Sequence, residues 1–350
     1  VPFEGTASSG FDYVGKKGPI FGANHRRAMA RARATIGHIV DDPTGMERSI
    51  LTMVPDVGYT RTQLTEVREK LKVRGVWGRA FHYILIEGTS AAPLLEAFKN
   101  NDTFFYIGKD PTVDVPNTIH SAKRNNTWLF TLDWSAFDAT ASTIEIDAAF
   151  DLLKEALDFP NFDTEVAFEF SRQIFLHKKI AAPDGSIYWA HKGIPSGSYY
   201  TMMVGSVINK LRCEYIWHAL YEKSPDYLVT QGDDGFGADD IQFDPDEAAH
   251  LVKHLGWKLN PDKTEVSMHP QNMEFLGRTE KGGLNSRELV RCLRLLAFPE
   301  QEVPNGIISA YRARAIADDS GGTSQLLNTV AERLEAKFGI PDEKDIPKAF

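Results

Sequence analysis

The sequence predicts an α+β fold, and three stretches carry that prediction. Residues 127–133, Thr-Trp-Leu-Phe-Thr-Leu-Asp, form a short β-rich run suited to a strand buried on both faces, and the run ends on an acid. Across residues 143–157 the apolar Ile146, Ala149, Phe150, Leu153 and Leu157 recur at helical spacing, so the acid lies where a strand gives way to a helix. Residues 227–231 and about 235–238 read as two strands flanking Gly232-Asp233-Asp234, a hairpin with adjacent carboxylates at its tip. The order strand, helix, helix, hairpin, helix, strand is that of an α+β domain.

The other elements follow in chain order. Residues 1–24 are rich in Gly and Ser and read as loop, whereas Ala and Arg dominate residues 24–39 and favour a helix with an exposed basic side. Residues 80–86 alternate aromatic and aliphatic types and fit either a strand or a short buried helix. A helix is expected over residues 198–217, behind the loop Gly193-Ile194-Pro195-Ser196-Gly197. Asp244-Pro245-Asp246-Glu247 has the order of cap, proline and first-turn acids that opens a helix. A strand near residues 258–259 and a hairpin around residues 273–284 come next, and the remainder from Asn285 is mainly helical. There is no internal repeat and no low-complexity tract.

Composition sets bounds without naming a chemistry. A chain of 350 residues, 42% hydrophobic and 25% charged, can bury one large core or two to three subdomains. Its two cysteines, Cys213 and Cys292, lack the spacing of a disulfide framework or a zinc site, which favours a reducing intracellular compartment. No stretch approaches the ~20 apolar residues of a membrane span. The start, Val1-Pro2-Phe3, lacks the regions of a signal peptide, and the missing initiator Met suggests a fragment or a processed product. The net charge of -9 argues at first sight against a polyanionic partner. Distribution matters more: residues 1–90 hold 13 Lys and Arg against 9 Asp and Glu. Lys16, Lys17, Arg26, Arg27, Arg31 and Arg33 form one basic cluster, and Lys70, Lys72, Arg74 and Arg79 another. Either cluster taken alone reads as a solvated helix face.

Two carboxylates at the ends of neighbouring strands are the sparse signature of hard divalent cations whose shells are completed by phosphate oxygens. Asp133 and Asp233 meet that demand if their strands pair. Each Asp alone reads equally well as a helix cap or a turn residue. A calcium-loop reading of Asp233 to Asp244 fails, because no glutamate stands at the closing position.

Order and context add to this. Asp133-Trp134-Ser135-Ala136-Phe137-Asp138 resembles the A motif of viral RNA-dependent RNA polymerases. Ser196-Gly197-Ser198-Tyr199-Tyr200-Thr201 with Asn209 resembles their B motif, and Gly232-Asp233-Asp234 their C motif. Asn260-Pro261-Asp262-Lys263-Thr264 is similar to the D motif, Glu274-Phe275-Leu276-Gly277-Arg278 to the E motif, and Lys72-Val73-Arg74 with Arg79 to the F motif. Thr6-Ala7-Ser8-Ser9-Gly10 resembles the G motif. The resemblance spans Thr6 to Arg278 and is strongest to the polymerases of partitiviruses and picobirnaviruses, small double-stranded RNA viruses.

That resemblance implies a right-hand fold of fingers, palm and thumb, with an antiparallel palm sheet carrying the catalytic acids. Residues 1–126 would be fingers and residues 127–284 palm, with a fingers-type insertion around 160–192. Residues 285–350 would be a helical, partial thumb. It implies two Mg²⁺ or Mn²⁺ ions on Asp133, Asp233 and Asp234, with Lys263 as proton donor to the departing pyrophosphate. Asp138, Ser196, Gly197, Thr201 and Asn209 would meet the nucleotide, Asp138 and Asn209 at its ribose 2′-OH. Lys72, Arg74 and Arg79 would hold the triphosphate. Thr6, Ser8, Lys16 and Lys17 would line the template path, and Arg278 would support the primer. The partners implied are RNA template and product, nucleoside triphosphates and viral capsid protein, with no membrane, in the virion interior or the host cytoplasm. Three other readings compete: a reverse transcriptase, which would favour a bulky aromatic at the ribose-facing position; an inactive polymerase-like scaffold; and a metal nuclease, which leaves the Ser-Gly and Lys motifs unexplained.

Overall fold

The structure, a computed structural model, describes residues 1–61, 74–299, 302–342, 344, 346 and 347. After an irregular start, the Ala- and Arg-rich stretch forms α1 (Ala23–Asp41), followed by α2 (Gly45–Leu51), β1 (Asp56–Arg61), β2 (Arg74–Gly78), α3 (Phe81–Asn100) and α4 (Pro111–Asn125). The ambiguous stretch at 80–86 opens α3. Every residue from Phe81 to Gly88 is buried, so the first two turns of the helix face protein on all sides and their apolar residues mark out no single stripe.

The central part of the chain runs β3 (Trp128–Leu132), α5 (Phe137–Thr140), α6 (Thr143–Glu155), α7 (Phe162–Leu176), β4 (Lys178–Ala181), β5 (Ile187–Ala190), α8 (Thr201–Tyr221), β6 (Tyr227–Gln231), β7 (Asp234–Asp239), α9 (Pro245–Val252) and β8 (Val266–Ser267). α6 begins on a capping box: Glu145 N–H donates to Ser142 Oγ at 3.3 Å, and Ser142 N–H donates to the Glu145 carboxylate at 2.8 Å. α9 begins as expected, with the Asp244 side chain accepting from Asp246 N–H and Glu247 N–H.

Two four-stranded sheets result. One is antiparallel throughout, in the order β6-β7-β3-β8. β3 and β6 are largely apolar because both faces of the sheet are covered. On one side Phe130 stacks on Trp217, ring centroids 4.2 Å apart, and Trp217 stacks on Phe243 at 4.8 Å. Gly237 lies under Phe130 so closely that a Cβ there would meet the ring at 2.1 Å. The strand expected near residues 258–259 is only an isolated bridge, Trp134 to Leu259; the strand that joins β3 is β8, further along the chain. The second sheet, β2-β1-β4-β5, is mixed: β1 pairs antiparallel with β2 and parallel with β4, which pairs antiparallel with β5.

The chain ends in a small hairpin, β9 (Thr279–Lys281) and β10 (Leu284–Ser286), and in the helices α10 (Leu289–Ala297), α11 (Gly306–Asp319) and α12 (Gln325–Phe338). The hairpin thus sits later than the expected 273–284; before it, Phe275 and Arg278 close a separate tight turn through Leu276 and Gly277, both at positive φ. Both cysteines are buried and free. Among the described residues no helix is long and apolar enough to cross a membrane.

Candidate active site

The antiparallel sheet brings the expected acids together. β3 and β7 pair from Trp128 with Asp239 to Leu132 with Gly235, so Asp133 leaves the last pair on one strand just as Asp234 precedes it on the other. Gln231 pairs with Asp234, which leaves Gly232 and Asp233 as a two-residue turn. Gly232 has φ +63°, the requirement for the first residue of a tight hairpin turn whose twist matches its strands.

The hairpin tip is held from below by α8. Gly232 N–H donates to Ser206 Oγ at 2.9 Å, and the Asn209 amide donates to Gly232 O at 3.1 Å and Asp233 O at 2.9 Å. Asn209 Oδ1 accepts from Trp134 Nε1 at 2.9 Å, so one side chain ties the Gly-Asp-Asp turn to the residue after Asp133. Gly205 leaves the helix backbone in contact with Gly232: a Cβ would lie 3.4 Å from its Cα. Asn209 is fully buried, and its amide is spent on these protein partners rather than turned to the ribose, which corrects the expectation for it. The other expected ribose contact, Asp138, is exposed at the start of α5. Sequence reasoning missed Ser206 and Trp134. The available signal was Gly205, Ser206 and Asn209, a small and polar run at i, i+1 and i+4 in the otherwise largely apolar first half of the helix.

The segment from Lys258 to Thr264 clasps the same corner. Asn260 N–H donates to Asp133 O at 2.9 Å, Ser135 N–H to Lys258 O at 2.8 Å, and Asp133 N–H to Thr264 Oγ1 at 3.3 Å. Lys263 is the exposed neighbour of Thr264. Below the corner, the buried Arg212 guanidinium lies 4.9 to 5.3 Å from the rings of Trp134, Phe137 and Trp257 and pairs with Glu145 at 2.7 Å.

Electrostatically the corner is acidic. The Asp234 carboxyl keeps contact with solvent yet is crowded by protein, and this loss of water is the first cause that pushes its pKa up to about 6. Repulsion from Asp233, Glu274 and Asp133 adds to the rise, and Arg291 opposes it. Carboxylates that crowd one another attract hard cations, and the donor set here is oxygen only, which suits Mg²⁺ or Mn²⁺. Among the described residues no three His, Cys, Asp or Glu side chains already form a cation cluster.

The loop before α8 is shaped by β2. Trp77 N–H donates to Ser196 Oγ at 2.9 Å, and a Cβ on Gly197 would lie 2.0 Å from Trp77 O, so only glycine fits there. The Thr201 hydroxyl closes the loop on Pro195 O and Ser198 O. Tyr199 O–H donates to Pro2 O at 2.9 Å, and a cavity of about 410 Å³ between loop and N-terminus is lined by Phe3, Lys17, Gly197 and Tyr199. Lys17 and Gly197 thus line one cavity, while Lys16 is exposed and bridges Ser8. Thr6 is exposed and bonds Glu4.

Two expected cations are placed otherwise. Arg79 is buried, giving hydrogen bonds to Glu87 at 2.6 Å, Asp56 at 3.1 Å and Ile174 O at 3.2 Å, so its donors are not presented to a triphosphate. Glu87 in turn accepts from Tyr199 N–H at 2.7 Å, which makes Arg79 a tie between β1, α3 and the loop before α8. Arg278 is bonded to Asp319 of α11 and to Leu276 O, so it fastens the turn at 275–278 to the C-terminal helices instead of facing a primer. Arg291 of α10, which the sequence reading passed over, lies against Gly277 and 3.9 Å from Glu274. Lys72 lies outside the described residues, as does the side chain of Arg74.

Comparison with known proteins agrees with this architecture. A family model described as viral RNA-dependent RNA polymerase matches residues 1–335. The RNA-directed RNA polymerase of Cryptosporidium parvum virus 1 is 29% identical over 145 residues, 39% of this chain and 27% of that protein. That of Atkinsonella hypoxylon virus is 22% identical over 337 residues, 80% of this chain and 50% of that protein. The crystal structure of a human picobirnavirus RNA-dependent RNA polymerase, an insertion-loop deletion mutant, superposes with a TM-score of 0.65 at 18% identity, covering 82% of this chain and 59% of that one. This chain therefore spans half or less of those two viral relatives, and its fold is the right-hand fold of the solved polymerase. With a family match over residues 1–335 and that fold, the chain belongs to the viral RNA-dependent RNA polymerases.

Proposed function

We propose that this chain carries out template-directed synthesis of RNA from nucleoside triphosphates, on the genome of a virus with double-stranded RNA. The observation that supports it most is the β3 and β7 register, which sets Asp133 beside Asp234 at the open end of a sheet, with Asp233 at the adjoining turn. Asp133, Asp233 and Asp234 would hold two divalent cations, which lower the pKa of the attacking hydroxyl and stabilise the departing pyrophosphate. Asn209 and Ser206 keep the turn in register with Asp133. Lys263, exposed beside Thr264, is the candidate proton donor to the pyrophosphate. Asp138 on α5, Ser196 in the loop before α8 and Thr201 at the first residue of α8 would meet the nucleotide, Asp138 at the ribose 2′-OH that separates RNA precursors from DNA precursors. Lys17 and Lys16, with Thr6 and Ser8, border the template path, and Lys72 and Arg74 meet the triphosphate.

The remaining assignments follow from that reading: residues 1–126 with the insertion at 160–192 as fingers, 127–284 as palm and 285–350 as a partial thumb. On the same reading the reaction would run in the virion interior or the host cytoplasm, with capsid protein as partner. Incorporation of labelled ribonucleotides on single- and double-stranded RNA templates, with Mg²⁺ and with Mn²⁺, tests the reaction. Metal-dependent ribonucleotide product is expected, and preferential use of deoxyribonucleotides would contradict it.

A further inference from the structure

β5 is the outer edge strand of the mixed sheet, and it carries large side chains into solvent: Ile187 is 57%, Tyr188 55% and Trp189 41% exposed. A bare edge strand invites aggregation unless charge or function occupies it. Alternation places Ile187 and Trp189 on one face and Tyr188 on the other. Trp189 stands opposite Lys179, whose ammonium lies 4.8 Å from the indole centroid. Beyond the strand end, the ring of His191 continues the row, 5.9 Å from Trp189 and within 9° of parallel. His191 Nδ1 in turn meets His177 Nδ1 at 2.9 Å. One face of the hairpin thus presents Ile187, Trp189 and His191 in line, with a cation against the indole.

Charge decides which partner suits it. In a chain of net charge -9, the surface of residues 177–192 carries Lys179 and Lys192 beside two histidines against Asp184 alone, whereas Lys178 is buried with its ammonium on Phe175 O and Leu176 O. Aromatic faces interleaved with cations are the chemistry that binds single-stranded nucleic acid, the bases stacking while the cations follow the phosphates. An apolar protein partner would need neither the lysines nor the parallel rings. The row also points along the chain to the candidate site: His191 O accepts from Thr143 Oγ1 at 3.0 Å, and Lys192 leads directly into the loop of Ser196 and Gly197.

We propose that the Ile187–Trp189–His191 face of the β4–β5 hairpin is a binding platform for single-stranded RNA outside the catalytic corner. The identity of the nucleic acid rests on the proposed polymerase reaction; the surface itself does not require turnover. The test is fluorescence anisotropy of a short labelled single-stranded RNA, without nucleotides, with wild type and variants of matched circular dichroism and melting temperature. Trp189→Ala weakens binding about tenfold, the loss of one stacked base, and Trp189→Phe retains most of the affinity. Lys192→Glu weakens binding and flattens its salt dependence, while Tyr188→Ala, on the opposite face, leaves it unchanged. Equal affinity of wild type and Trp189→Ala overturns the proposal, as does an equal loss in Tyr188→Ala. So does a change of mass in solution confined to Trp189→Ala with RNA affinity intact, which would make the row a protein contact. Ribonucleotide incorporation measured alongside separates the two ideas: Trp189-dependent binding without synthesis keeps the platform and removes the reaction, and synthesis with Trp189-independent binding does the reverse.

Discussion

The two four-stranded sheets are built on opposite principles. The antiparallel sheet is held by rings and glycine: Phe130, Trp217 and Phe243 stack against it, and Gly237 exists to let Phe130 in. The mixed sheet is held by buried charge, with Arg79 joined to Asp56 and Glu87 and with Lys178 buried nearby. Close apolar packing holds backbone positions to within small tolerances, which is what acids that must converge on cations require. A buried ion group ties together segments distant in sequence, here β1, α3 and the loop of Ser196, at a cost in desolvation.

Breaking the charged tie gives the largest expected change in stability. Arg79→Met strands Glu87 and Asp56 in the interior and destabilises by about 3–5 kcal/mol in chemical denaturation. A loss below about 1 kcal/mol would mean that the charges are not what holds the mixed sheet. In the antiparallel sheet, Gly237→Ala drives a methyl into the Phe130 ring and costs about 1–3 kcal/mol; unchanged stability would show that Phe130 is free to move. Asn209→Ala orphans Gly232 O, Asp233 O and Trp134 Nε1. We expect a comparable loss of about 1–3 kcal/mol and a fall in kcat larger than any change in KM, because the turn loses its register with Asp133.

The smallest effect is one of pH. Burial, then repulsion from Arg79, lowers the Lys178 pKa to about 7, with Asp56 opposing. Between that value and the ordinary lysine range the unfolded chain binds the extra proton, so stability rises with pH across the window and falls as pH drops toward 7. From pH 7 to pH 8 wild type gains about 1 kcal/mol relative to Lys178→Met; parallel pH profiles would show Lys178 to be charged in the folded state.

The same contrast explains what could be read in advance. Residues 128–132 and 227–231 were legible because a strand covered on both faces is a short unbroken apolar run, and Gly232-Asp233-Asp234 names its own turn. The mixed sheet left no such mark. β2 carries Gly75 and Gly78, and β1 pairs in parallel with β4, more than a hundred residues away, so neither alternation nor a turn announces it. At the site, residue types showed which side chains carry charge but not what folds around them. Arg79 looked like a ligand for triphosphate and Arg278 like a primer contact until Asp56, Glu87 and Asp319 closed on them, and Asn209 looked like a ribose contact while its amide was holding the turn.

The central claim is that Asp133, Asp233 and Asp234 form one cation-dependent centre for RNA synthesis. Incorporation of labelled ribonucleotides by Asp233→Ala, beside wild type and with the melting temperature of both recorded, tests it most directly. The expected result is loss of incorporation by at least about a thousandfold, ~4 kcal/mol of transition-state stabilisation, with melting unchanged within a few degrees. Incorporation at the wild-type rate by a folded Asp233→Ala protein would contradict it.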